Sequence, residues 1–222
     1  MLLIAQFCNC YCNIIIVLNC GCPKMTLFAA EQLELVEKAS SRELEERLSG
    51  GRASGIAFIA CSEMGAGAPG IPTDPGLPIY VWQNLGGCID DELALEDLVR
   101  ANQISDLVIY GHYPCALLSM ALSDQKAPEY SSVSSRYLAG ATAELRQYIN
   151  DECCAKQNGN AMKKVAEHHV LRQLIKAMHL LPIAKARSGN DLRLHGWIWN
   201  SESSQVHFFD PAKGIFVPSA KD

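Results

Sequence analysis

Short apolar runs alternate with amphipathic stretches along most of this chain. Gly55–Ala60 (Gly-Ile-Ala-Phe-Ile-Ala) and Asp106–Tyr110 (Asp-Leu-Val-Ile-Tyr) are almost free of polar residues, as strands buried on both faces are. Ile79–Trp82 is a third strand-like run, followed by a glycine turn at Gly86-Gly87. Leu93, Leu95, Leu98 and Val99 recur at helical spacing behind Asp90, Asp91 and Glu92, whose charges suit a helix N-terminus. Ala116–Leu122 predicts another helix, and residues 27–49 predict one or two more, stopped by Gly50-Gly51. Residues 64–78, rich in glycine and proline, read as a loop. Further on, 132–150 and 161–180 read as helices, with polar linkers at 120–131 and 155–160. Leu192–Trp199 and Gln205–Phe209 are a last pair of strand-like runs, split by the turn-rich Asn200–Ser204. Strand–helix–strand alternation of this kind predicts an α/β fold, with a mainly parallel central sheet of four or five strands flanked by helices. In such sheets ligands gather at the carboxyl ends of the strands.

Composition narrows the class. Of the 222 residues, 49% are hydrophobic and 19% charged, which suits one packed domain, with or without a small appendage. A formal net charge of −5, with no basic stretch interleaved with aromatics, gives no reason to expect nucleic acid. Five of the ten cysteines fall within the first 22 residues, which is not the spacing of a secreted disulfide scaffold. A reducing compartment, the cytoplasm, fits better. Residues 1–24 form an apolar, cysteine-rich extension that carries no charge before Lys24. They lack the positive start of a secretory signal, and Gln6, Asn9, Asn13, Asn19, Gly21 and Pro23 interrupt any membrane span. The preferred division is therefore an extension at 1–24 and a folded domain at 25–222.

Three residues carry candidate metal chemistry. His112 and Cys115, spaced His-x2-Cys, leave the end of one predicted strand, and Cys61 leaves another. Two thiolates and one imidazole suit tetrahedral Zn²⁺, and three protein ligands leave a fourth position for water. From spacing alone a buried thiol beside a hydrogen-bonded histidine is the competing reading. The shared position at strand ends favours metal.

Four motifs in order then resemble the β-class carbonic anhydrases, over roughly residues 27–217. The family's Cys-x-Asp-x-Arg corresponds to Cys61-Ser62-Glu63-Met64-Gly65, and its Arg-Asn-Ala-Gly to Gln83-Asn84-Leu85-Gly86. Its Gly-His-x-x-Cys-Gly corresponds to Gly111-His112-Tyr113-Pro114-Cys115-Ala116, and its Leu-x-x-His-Gly-Trp to Leu192-Arg193-Leu194-His195-Gly196-Trp197. The resemblance implies Zn²⁺ on Cys61, His112 and Cys115, reversible hydration of carbon dioxide to bicarbonate by hydroxide from a water whose pKa the metal lowers, and a homodimer or higher assembly. It places Glu63 as the catalytic carboxylate, with Gln83, Asn84, Gly86 and Ala116 shaping the pocket. Four positions depart: Glu63 replaces an aspartate, Gly65 and Gln83 replace arginines, and Ala116 replaces a glycine. A carboxylate without its guanidinium loses orientation and charge balance. Glu63 then either ligates zinc, which closes the site, or hangs in the pocket as an untethered base. A non-catalytic zinc protein acting in assembly or binding, and a hydrolase of carbonyl sulfide or carbon disulfide, are the alternative functions.

Other candidates read as structural. Asp74 fits a solvated loop residue, His168 and His169 surface or packing positions, and His195 a structural strand residue. Cys88 reads as a core thiol near the site, and Cys153-Cys154 as inert.

Overall fold

The computed structural model describes residues 55–65, 68–71, 78–89, 92–101, 104–122, 161–180 and 192–219. The expectations for the 1–24 extension, the helices at 27–49 and 132–150, Asp74 and Cys153-Cys154 lie outside these described residues.

The apolar runs form the expected strands: β1 (Gly55–Cys61), β2 (Ile79–Asn84) and β3 (Ile104–Tyr113). Helices α1 (Glu92–Ala101), α2 (Ala116–Leu122) and α3 (Ala161–His179) fall where periodicity puts them. β4 (Arg193–Asn200) and β5 (Gln205–Asp210) flank the turn, and a short β6 (Ile215–Pro218) follows. The sheet runs β2-β1-β3-β4-β5-β6. β2, β1, β3 and β4 pair in parallel, and the β4–β5 and β5–β6 pairings are antiparallel. Two expectations are thereby corrected. Among the described residues the sheet has six strands rather than four or five, because Ile215–Pro218 is too short and too exposed to show a pattern of its own. β3 also runs three residues past Tyr110, so His112 lies within the strand end rather than after it.

One sheet face carries Ala57, Ile59, Leu107, Ile109, Leu194 and Ile198, covered by Leu95 and Val99 of α1, Leu117 and Leu118 of α2, and Val165, Val170 and Leu174 of α3. α3 rides close to the sheet because Gly111 and Gly196 have no side chains. A Cβ at Gly111 would sit 2.5 Å from Val170, and one at Gly196 would sit 2.8 Å from Leu174. The opposite face packs aromatic rings: Trp197 meets Phe58 at 5.5 Å, Tyr110 at 5.7 Å and Phe208 at 5.0 Å between centroids, all edge-on. The Tyr110 hydroxyl donates to the Pro69 carbonyl, which ties the 68–71 segment to this face.

At the amino end of β3 the fully buried Asp106 carboxylate accepts from Arg193 Nε (2.9 Å) and Nη2 (3.0 Å), His195 Nε2 (2.9 Å) and Ser105 Oγ (2.7 Å). His195 is thus the structural residue its strand position implied. The carboxyl ends of β1 and β3, at the other edge of the sheet, are left to build the site. Among the described residues no helix is long and apolar enough to cross a membrane.

Candidate metal centre

Because β1 and β3 are hydrogen-bonded neighbours in parallel, their carboxyl ends emerge side by side. Cys61 is the last residue of β1, and His112 is the last but one of β3. Cys115 follows in the short connection to α2, and Glu63 lies in the single 3-10 turn Ser62–Met64 directly after Cys61. One ligating atom from each of Cys61, Glu63, His112 and Cys115 falls within 4.8 Å of every other. The three expected ligands are buried, while Glu63 is open to solvent.

The electrostatics of this cluster fit a cation. His112 Nε2 is buried without a hydrogen-bond partner. Cys61 is pulled down to about 4, chiefly because the Cys115 thiol donates to it, with His112 and the backbone N–H groups of Glu63 and Gly86 adding against the cost of burial. Cys115 is pushed far up, first by that same hydrogen bond to Cys61 and then by burial. Burial lowers the His112 imidazole, but the Cys61 thiolate and the Glu63 carboxylate outweigh it and leave the ring raised. Two adjacent buried thiols, beside an imidazole nitrogen and a carboxylate, are the donor set that a divalent ion of borderline softness would satisfy.

Glu63 departs from expectation. It is not untethered: the Ala116 N–H donates to both carboxylate oxygens, at 2.9 Å (Oε2) and 3.2 Å (Oε1). A backbone donor orients it where a guanidinium was expected to be needed. The same oxygens lie 3.8 Å from Cys115 Sγ and 4.0 Å from His112 Nε2. The two positions that replace family arginines meet each other instead, because Gln83 Nε2 donates to the Gly65 carbonyl at 2.7 Å.

The remaining pocket candidates belong to one loop. Asn84 accepts the Cys88 N–H at 2.8 Å and donates to the Cys88 carbonyl at 2.5 Å, closing a tight turn over Leu85–Gly87. Gly86 stands at φ 81°, and a Cβ there would sit 2.3 Å from Leu117 Cδ2, so only glycine fits beside α2. Cys88 is a buried thiol outside any disulfide in this loop, as expected. His168 and His169 are both buried, so the surface half of their sequence reading is corrected. His169 Nε2 donates to the Gly86 carbonyl at 2.7 Å. The helical pattern conceals this role. Its trace is polar His169 and Gln173 at i, i+4 among the apolar residues of the helix's buried face.

Comparison with known proteins agrees with this geometry. Residues 57–206 match the family model described as Carbonic anhydrase. A carbonic anhydrase of Synechocystis sp. is 26% identical over 188 residues, covering 81% of this chain and 68% of the relative. Carbonic anhydrase 1 of Escherichia coli O157:H7 is 29% identical over 132 residues, 57% of each chain. Among solved structures, the β-carbonic anhydrase CcaA superposes with a TM-score of 0.63 at 23% identity, over 85% of this chain and 97% of that one. A tetrameric β-carbonic anhydrase of Sordaria macrospora gives 0.59 at 19% identity, over 81% of this chain and 89% of that one. These likenesses show a shared α/β fold.

Proposed function

The chain belongs to the carbonic anhydrase family, and from that premise we propose that it binds Zn²⁺ through Cys61, His112 and Cys115 and interconverts carbon dioxide and bicarbonate. The observation that carries this reading is the convergence of two thiols and a bare imidazole nitrogen at neighbouring strand ends, with a carboxylate beside them. When bound, zinc supplies the Lewis acidity that yields hydroxide from water near neutral pH.

The chain's own residues supply the rest. Cys61 and Cys115 bring the negative charge that retains the ion, and the buried wall around them raises the strength of that attraction. Glu63, fixed at Ala116 and open to solvent, accepts the proton that water gives up and passes it outward. Gly87 rests on the Cys61 backbone, and Gly86 leaves room for α2, which begins directly after Cys115. Cys61, Cys88 and Cys115, buried as thiols outside any disulfide, support residence in a reducing compartment such as the cytoplasm. The resemblance supports a homodimer or higher homo-oligomer.

A second reading has its own observation. The Glu63 oxygens already lie close to Cys115 and His112, so a small side-chain rotation would make the carboxylate a fourth ligand and close the site. Stopped-flow carbon dioxide hydration on zinc-quantified protein, with a metal-stripped control, separates the two. Zinc-dependent hydration is expected. Full zinc occupancy without hydration would establish the closed, non-catalytic site. Cys115→Ser should abolish zinc retention, and stoichiometric zinc in that variant would sink the ligand assignment.

A further inference from the structure

The loop after β2 touches β1 at Cys61 and α2 just beyond Cys115. Gly87 lies on the Cys61 backbone, since a Cβ there would sit 3.1 Å from Ala60 C and from Cys61 N, and Gly86 abuts Leu117 of α2. The loop is held by its main chain from one stripe of α3. His169 Nε2 donates to Gly86 O at 2.7 Å, Gln173 Oε1 accepts the Ile89 N–H at 2.9 Å, and Lys176 Nζ donates to Ile89 O at 2.6 Å. Residues 169, 173 and 176 are spaced four and three apart, so they share one helix face. All three reach across more than eighty residues of sequence to backbone atoms within a four-residue segment. Side chains that bind main chain in this way fix a loop's path whatever side chains that loop carries.

Resting on the metal-site reading above, we propose that His169 is a positioning residue for the metal centre: with Gln173 and Lys176 it straps the Gly86–Ile89 backbone so that the loop stays seated on Cys61 and α2, and the Cys61 sulfur stays aimed at the ion. Two contacts carry the effect. His169 grips the Gly86 carbonyl, and the next residue, Gly87, rests on the Ala60–Cys61 backbone. Cys88 Sγ, 3.8 Å from the same His169 nitrogen, packs beneath the loop without replacing that grip. Groups that orient ligands from behind govern metal retention about as strongly as some ligands do.

The test is zinc release from the purified holo-protein to a chromophoric chelator, read beside thermal unfolding. His169→Ala should release zinc about 10–100-fold faster than the parent. His169→Gln, whose amide nitrogen reaches a similar point, should recover most of that retention. Leu174→Ala, which opens a cavity on the same helix over Gly196 of β4, should lower stability while leaving release close to the parent rate. Should His169→Ala fail to fold, Gln173→Met reads the same strap at Ile89 and is expected to speed release several-fold. Release from His169→Ala no faster than from Leu174→Ala, no recovery in a folded His169→Gln, or unchanged release from Gln173→Met would each overturn the proposal. Parent protein that holds no zinc would instead overturn the metal-site reading itself, and zinc-loaded parent without hydration would leave the strap standing while removing the activity.

Discussion

Glu63 and Ala116 are joined by a backbone hydrogen bond that both carboxylate oxygens share, at 2.9 and 3.2 Å. Ala116 is the first residue of α2, a position where proline fits a helix and removes only an N–H that the helix does not use. Ala116→Pro therefore deletes the donor and nothing else in the helix ladder. With the hold released, hydration measured by stopped flow should fall about 10–100-fold, zinc content remaining stoichiometric and the melting temperature nearly unchanged. Undiminished hydration would show that Glu63 needs no fixed orientation.

Gly65 stands at φ 71° and ψ 176°, a backbone region that is nearly closed to other residues. No atom lies within 4 Å of where its Cβ would be, so an arginine side chain has room and only the backbone resists it. Gly65→Arg should cost about 1–3 kcal/mol by urea unfolding. Combined with Glu63→Asp it reinstates the carboxylate–guanidinium pair of the family, and hydration per zinc-loaded molecule should rise. No gain, with zinc intact, would move the limit elsewhere in the pocket.

What the sequence made legible follows physical lines. Strands β1 and β3 were readable because burial on both faces leaves few polar residues, and the meeting of Cys61, His112 and Cys115 because each falls at the end of one of two strands expected in one sheet. The hold on Glu63 was not readable, because its donor is a backbone N–H and every residue but proline has one. The strap from His169, Gln173 and Lys176 to Gly86 and Ile89 escaped for the same reason, since its targets are main-chain atoms. β6 escaped because a four-residue strand with only Phe216 fully buried has no periodicity to show.

Asp106 gathers Arg193, His195 and Ser105 at the sheet edge remote from the metal centre. Asp106→Asn keeps the shape but leaves Arg193 and His195 without the charge they face. Removing one partner of a buried pair costs about 3–5 kcal/mol. Arg193 is about a quarter exposed, which favours the low end, near 3 kcal/mol. Chemical denaturation should show that loss while zinc content stays at the parent level. A loss below about 1 kcal/mol would mean the network contributes little beyond packing.

His168 is buried in α3, and burial, reinforced by the charge of Arg172 and by His169, lowers its imidazole to about 3. The native ring therefore stays neutral over a range where the unfolded chain, titrating near 6.5, takes up a proton. The unfolded state then binds more protons, so this group's contribution is whole above about pH 6.5 and is lost progressively as pH falls toward 3. The slope approaches about 1.4 kcal/mol per pH unit once the unfolded ring is fully charged. Urea unfolding of the parent and of His168→Leu at pH 7.5, 6.5, 5.5 and 4.5 isolates it, because other groups titrate alike in both. The parent curve should fall more steeply with decreasing pH by about 1 kcal/mol per unit below pH 6. Parallel curves would mean that the native protein admits a proton to this ring, and that the packing of α3 over Gly111 opens readily at mildly acidic pH.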